Sequence, residues 1–166
     1  MATALFIKRE DFVRNTIVDG SVDQDKYQQF IKGAQIMHIR NYLGTDLYDK
    51  ISNDIIAGTM AADYQYLLNE YIQPMLIHFT MVDYLPFANY ALKNGGVFKH
   101  SSETGETASK EEIDYLVQRH RDQAEYYAQR FVTYMTHNYL KYPEYRSNTN
   151  EDIRPDREVT FNGWVL

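Results

Sequence analysis

Between Asp63 and Asn94 apolar side chains fall so densely that a helix through them has no polar face. Leu67, Leu68, Tyr71, Ile72, Met75, Leu76, Phe79, Val82 and Leu85 recur at helical spacing on more than one side. A helix that is apolar all round is stable in water only when other elements cover it. The segment therefore predicts the middle of an all-α bundle, with about four to five helices packed around one long central helix. Pro74 and Pro86 interrupt it. Each removes a backbone donor and crowds the carbonyl four residues back, which predicts a break or kink at one or both. Asn94-Gly95-Gly96 reads as the helix stop.

The covering helices are legible on either side. Ala4 to Ile7 forms an extended apolar lead-in to a brief turn around Phe12 and Val13. Ser21 or Asp23 can cap a helix carrying Tyr27, Phe30, Ile31, Ala34, Met37 and Tyr42, and Gly44 supplies a left-handed stop. Thr45 offers a new N-cap for a shorter helix through Leu47, Tyr48, Ile51 and Ile55 to Gly58. Ser109 and Glu112 make a capping box for the longest uninterrupted helix, which runs through Ile113, Ala124, Phe131 and Met135 to about Leu140, before Pro143. Val97 to Ala108, rich in Ser, Thr, Gly and Glu, reads as an exposed loop.

From Pro143 onward the periodicity is lost and Glu, Asp and Arg alternate with Asn, Ser and Thr up to Phe161-Asn162-Gly163-Trp164-Val165-Leu166. Two parts follow: a helical domain over 1–142 and an extended C-terminal arm over 143–166 with an apolar tip. Trp164 is the sole tryptophan. It either folds back into its own core or docks on another subunit or partner, and a reach of about 80 Å at roughly 3.3 Å per residue favours the second.

A net charge of -6 argues against a nucleic-acid footprint, since phosphate binding would need clustered Lys and Arg. DNA would pass such a surface without specific binding. With no cysteine, disulfides, thiolate catalysis and Cys-type zinc sites are excluded. The Met1 to Ile7 start has neither the basic nor the apolar region of a signal peptide, and no stretch is apolar enough to span a bilayer, so the chain is expected in the cytoplasm at synthesis, away from membrane.

Chemistry is sparse. The five histidines form no HExxH or ExxH pattern, and GxGxxG, GxxxxGK[ST] and GxSxG are absent. His38 and His78 sit on separate helices and would make a composite site only through the fold; a packed histidine is the commoner case. Glu70, Asp83 and Glu125 would face one another inside the bundle or, more ordinarily, line a solvated face. No enzyme, metal or cofactor is expected.

Four segments carry a resemblance. Tyr42-Leu43-Gly44-Thr45-Asp46-Leu47-Tyr48, Tyr71-Ile72-Gln73-Pro74-Met75-Leu76, the polar loop after Asn94-Gly95-Gly96, and Phe161-Asn162-Gly163-Trp164-Val165-Leu166 resemble the head-to-tail connector (adaptor) proteins of tailed bacteriophages, closest to those of crAss-like and related phages of Bacteroidota. The resemblance implies a structural virion protein of the neck, present in the host cytoplasm during assembly. It implies neighbouring copies in a homo-oligomeric ring, usually a dodecamer, that joins the portal protein to the next neck or tail protein and lets DNA pass. On that reading the arm, with Tyr145, Arg154, Phe161, Trp164, Val165 and Leu166, contacts a neighbouring subunit or the portal, and the loop, with Phe98, Lys99, Glu103 and Glu106, faces the channel or the next ring. The alternative is a helical-bundle enzyme or small-ligand-binding regulatory domain, which predicts a deep polar cavity near His78 and Asp83.

Overall fold

The computed structural model describes residues 4–88, 90–93, 96–99, 107–148 and 152–157. Among them run six helices and one hairpin. Helix α1 is Arg9–Arg14. Helix α2, over 24–43, joins Gln24–Ala34, a π turn at Gln35–Ile39 and a last turn at Arg40–Leu43. Helix α3 is Thr45–Ala57. Helix α4, over 62–88, joins Ala62–Leu67, a π turn at Leu68–Ile72 and Gln73–Ala88. Strands β1, Tyr90–Lys93, and β2, Gly96–Lys99, precede helix α5, Lys110–Asn138, its 3-10 extension Tyr139–Lys141, and helix α6, Pro143–Ser147.

The all-α bundle expected from the apolar density of 63–94 is the fold that forms. Helix α4 is central, with its broadest contact on α5 and its next on α2. Leu67, Ile72, Met75 and Leu76 are fully buried there, and each such side chain contributes roughly 1.5–3 kcal/mol of burial. Helix α4 runs unbroken through both prolines. The strain at Pro74 is met by the π turn just before it, where the Gln73 N–H reaches back five residues to the Leu68 carbonyl. The wider turn shifts the hydrogen-bond register, so Pro74 falls in the first turn of Gln73–Ala88, where a missing donor costs little. Pro86 lies in the last turn.

Three expectations are corrected here. The central helix ends at Ala88 rather than Asn94, and β1 pairs antiparallel with β2 from Tyr90 opposite Lys99 to Lys93 opposite Gly96. In the sequence the two strands are separated by Asn94-Gly95, which lie outside the described residues; Asn-Gly is the dipeptide that most favours a two-residue hairpin turn. The start of the supposed loop, Val97 to Lys99, belongs to β2. Gly44 has φ 75° and ψ 163°, so it makes a sharp bend between α2 and α3 rather than a left-handed cap, and Thr45 is the first residue of α3. The Ser109 capping box forms as read: the Glu112 N–H donates to Ser109 Oγ at 3.2 Å and the Ser109 N–H to Glu112 Oε2 at 2.8 Å.

The largest correction concerns the arm. Residues 143–147 form α6, whose Tyr145 is buried against Phe131 with ring centroids 6.0 Å apart. The chain then folds back onto the α2–α3 bend. The Thr45 N–H donates to the Ile153 carbonyl at 2.9 Å, the Ile153 N–H donates to Thr45 Oγ1 at 3.1 Å, and the Asp156 N–H donates to the Asn41 carbonyl at 2.7 Å. Arg40 Nη2 lies 2.7 Å from Asp152 Oδ2. The body therefore extends through residue 157, and a boundary at 142 cuts a packed unit.

Candidate functional site

Along one side of helix α2, at spacings of three and four, stand Lys26 and Met37, both exposed, and Phe30 and Gly33, both half-buried. Between it, the end of α4 and α5 lies an open groove of about 660 Å³, bordered by Phe30, Gly33, Met37, Phe87, Val117 and Arg121. It continues past Phe30 into a hollow of about 880 Å³ that reaches Val22, Lys26, Tyr84, Tyr90 and Val97 beside the hairpin. Phe87, Met37, Tyr90 and Val97 stand 50–67% exposed. Contiguous apolar surface of this kind marks a binding face. Phe30 packs against Phe87, centroids 5.6 Å apart.

Beside the groove the fold pairs four polar residues. His38 stacks on Phe79, rings 5° from parallel and 4.4 Å apart, and its Nε2 lies 3.2 Å from Asp83 Oδ2. His78, on α4, meets His120, on α5, with their Nδ1 atoms 3.0 Å apart, and stacks on Tyr127. Two neutral imidazoles of opposite tautomer satisfy that contact, one donating and one accepting. Burial, and next the neighbouring His120, pushes the His78 pKa down to about 4; burial also lowers that of His120. Both rings are thereby held neutral. Among the described residues no group of three or more His, Cys, Asp or Glu is arranged to hold a metal ion. Asp83 borders the apolar groove, whose lining does not include His78.

A third feature sits where the chain folds back. Arg146, Arg154 and Arg157 surround a polar hollow of about 440 Å³ with Tyr145, Ser147, Asn148 and Pro155. Arg157 lies over the Tyr145 ring at 5.6 Å and Arg146 over Tyr139 at 5.6 Å, so two of the three guanidiniums are held by ring faces.

A model of a family of unknown function, DUF6712, matches residues 39–155, well over half of the chain. The chain belongs to that family. No curated protein and no solved structure matches it. The DUF6712 region closes at residue 155, taking in α6 and the Ile153 contact with Thr45, which agrees with a body that extends past Tyr142.

The predicted site residues are scattered. Phe98 and Lys99 fall on β2, opposite Ala91 and Tyr90. Glu103 and Glu106, and Phe161, Trp164, Val165 and Leu166, lie outside the described residues. Arg154 is exposed in the arginine hollow, whereas Tyr145 is only 3% exposed and is a core residue, unavailable to a partner. His78 finds its partner in His120, which no local motif signals because 42 residues separate them. The groove stripe at 26, 30, 33 and 37 was hidden in the α2 periodicity. Its apolar members read as core, and only the fold shows that Met37 is exposed and Phe30 half-buried at the groove.

Proposed function

We propose that this protein is a structural component of a phage neck, forming a ring that joins the portal to the next neck or tail protein and lets DNA pass. The family match carries no function, and the reading rests on the resemblance of the four segments named above together with one structural observation. That observation is the pairing of unlike charged surfaces on one acidic body. The arginine hollow of Arg146, Arg154 and Arg157 is a concentrated cationic site on a chain of net charge -6. The start of α5 presents Glu111, Glu112 and Asp114, all exposed.

A closed ring repeats one heterologous contact, so each subunit needs two different and complementary patches. Arginines are suited to the cationic half because their planar forks grip carboxylates bidentately. An acidic channel wall repels the DNA backbone and lets it slide. In this reading the hairpin, with Phe98 and Lys99, and the segment containing Glu103 and Glu106 face the channel or the next ring.

The test is to image the purified protein mixed with its portal by negative stain, with light scattering on each alone. A ring on the portal that is lost in Arg154→Glu supports the proposal. A monomer or dimer that ignores the portal overturns it.

A further inference from the structure

We propose that His78 and His120 form a binding site for one divalent transition-metal ion of the zinc and copper class, clamped between α4 and α5. The inference stands on the geometry of the pair and does not depend on the ring.

The two nitrogens are at the separation that such an ion requires. Their Nδ1 atoms stand 3.0 Å apart. Two imidazole nitrogens bound to one ion at roughly 2.0–2.1 Å stand about 2.9 Å apart in a right-angled site and about 3.4 Å apart in a tetrahedral one. The pair falls within that interval. Its rings face each other, centroids 5.3 Å apart and planes 36° apart, and a turn of each about its Cβ–Cγ bond brings both lone pairs onto a common point. The proton of the N–H···N bond then moves to the Nε2 of the donor ring, so both rings stay neutral and each gives one nitrogen to the ion.

The scaffold fixes both ligands. His78 lies within Gln73–Ala88 and His120 within Lys110–Asn138, and these helices share the broadest contact of the bundle. Ala124, fully buried one turn beyond His120, keeps the helices close, and the stack of His78 on Tyr127, rings 9° from parallel, holds that ring. Ligands ordered in advance lose little freedom on binding. Both rings are half-buried, which leaves water free to fill the remaining coordination positions from the solvent side.

The donor set selects the ion. Imidazole suits zinc, copper and nickel, whereas magnesium and calcium take oxygen ligands. Burial lowers the affinity of both rings for protons, which therefore do not compete near neutral pH. A body of net charge -6 favours a cation, and without cysteine no thiolate draws the metal elsewhere.

The test adds zinc chloride to the full chain after stripping with EDTA and dialysis. Calorimetry is expected to show one equivalent bound, and the melting temperature should rise by about 5–10 °C at a hundredfold excess over Kd. His120→Gln and His78→Phe should each abolish the rise, whereas His38→Gln, which removes the separate contact with Asp83, should keep it. Nitrogen NMR of the parent chain needs no variant: the Nδ1 signals of His78 and His120 should move with zinc while those of His38 and His137 stay. No binding at millimolar zinc overturns the proposal. So does a rise that survives in either of the first two variants, or zinc that moves His38 or His137 instead.

Discussion

Gly44 and Pro155 lie so close that a Cβ added to Gly44 would stand 2.6 Å from Pro155 Cδ and 3.0 Å from Asn148 Oδ1. The φ of +75° with ψ near 163° is a conformation that essentially only glycine adopts without strain. One residue therefore does two things: it turns the chain between α2 and α3, and it leaves the space into which the returning segment settles. Gly44→Ala is expected to cost about 2–3 kcal/mol, from backbone strain and from the displaced proline ring. Urea unfolding measures the loss, and hydrogen exchange at the Thr45 N–H, bonded to Ile153, should accelerate. Pro155→Ala removes the clashing ring atoms but not the strain, so Gly44→Ala should cost less in that background. Equal cost in both backgrounds would show that the contact is not tight.

Gln35 is fully buried inside the first π turn and ties three segments together. Its Nε2 donates to the Ala4 carbonyl at 2.8 Å and lies 2.9 Å from Tyr48 Oη, and its Oε1 accepts from the Phe6 N–H at 3.0 Å. Gln35→Leu keeps the volume but leaves the buried Phe6 N–H unpaired, and an orphaned donor costs about 1–3 kcal/mol. The expected result is a lower urea midpoint with faster exchange confined to residues 4–7. An unchanged midpoint would mean that the lead-in segment is held by its side chains alone.

The contrast between Leu76 and Ile153 explains what the sequence made legible. Leu76 sits in a run whose apolar density is itself the signal, so the central helix, its neighbours and the Ser109 cap follow from periodicity and capping chemistry. Ile153 docks through its own N–H and carbonyl on Thr45. Backbone bonds at a separation of 108 residues leave no trace in side-chain pattern. The same holds for His78 and His120, which meet only because α4 and α5 align. Tyr145 was misread for another reason: it lies beyond a proline in polar company, and tyrosine serves cores and interfaces alike. The hairpin was missed although Asn94-Gly95 announces it, because the dense helical stripe before it was extended too far.

The His78–His120 pair makes stability fall on mild acidification. Above pH 6.5 the rings are neutral in folded and unfolded chains alike and add no pH dependence. As pH falls from 6.5 toward 4, the unfolded chain binds protons that folded His78 refuses, so the unfolded state gains. Discounted for the ring's partial exposure, the loss is about 1–2 kcal/mol. His78→Phe keeps a ring against Tyr127 and removes the titration. Melting at pH 7.5 and pH 5.0 should then show a smaller drop for the variant than for the parent chain; parallel drops would remove the pair from the acid response.

Two truncations distinguish the folded part of the C-terminal region from the part beyond it. Ending the chain after Tyr142 deletes α6 and the returning segment, uncovering Phe131 where Tyr145 is buried and stripping the Ile153 and Asp156 bonds from the α2–α3 bend. Tyr142 itself remains, with its hydroxyl donating to the Asp63 carbonyl at 3.1 Å, but Tyr64 loses the Glu144 carboxylate to which it donates at 2.6 Å. Loss of one large buried aromatic alone costs about 3–5 kcal/mol, so this truncation should melt far lower or fail to fold. Ending after Arg157 keeps every one of these contacts and should melt within a few degrees of the full chain. Thermal melts of the three proteins decide it: if the shorter truncation is as stable as the longer, α6 and the returning segment are an appendage after all, and the boundary belongs at 142.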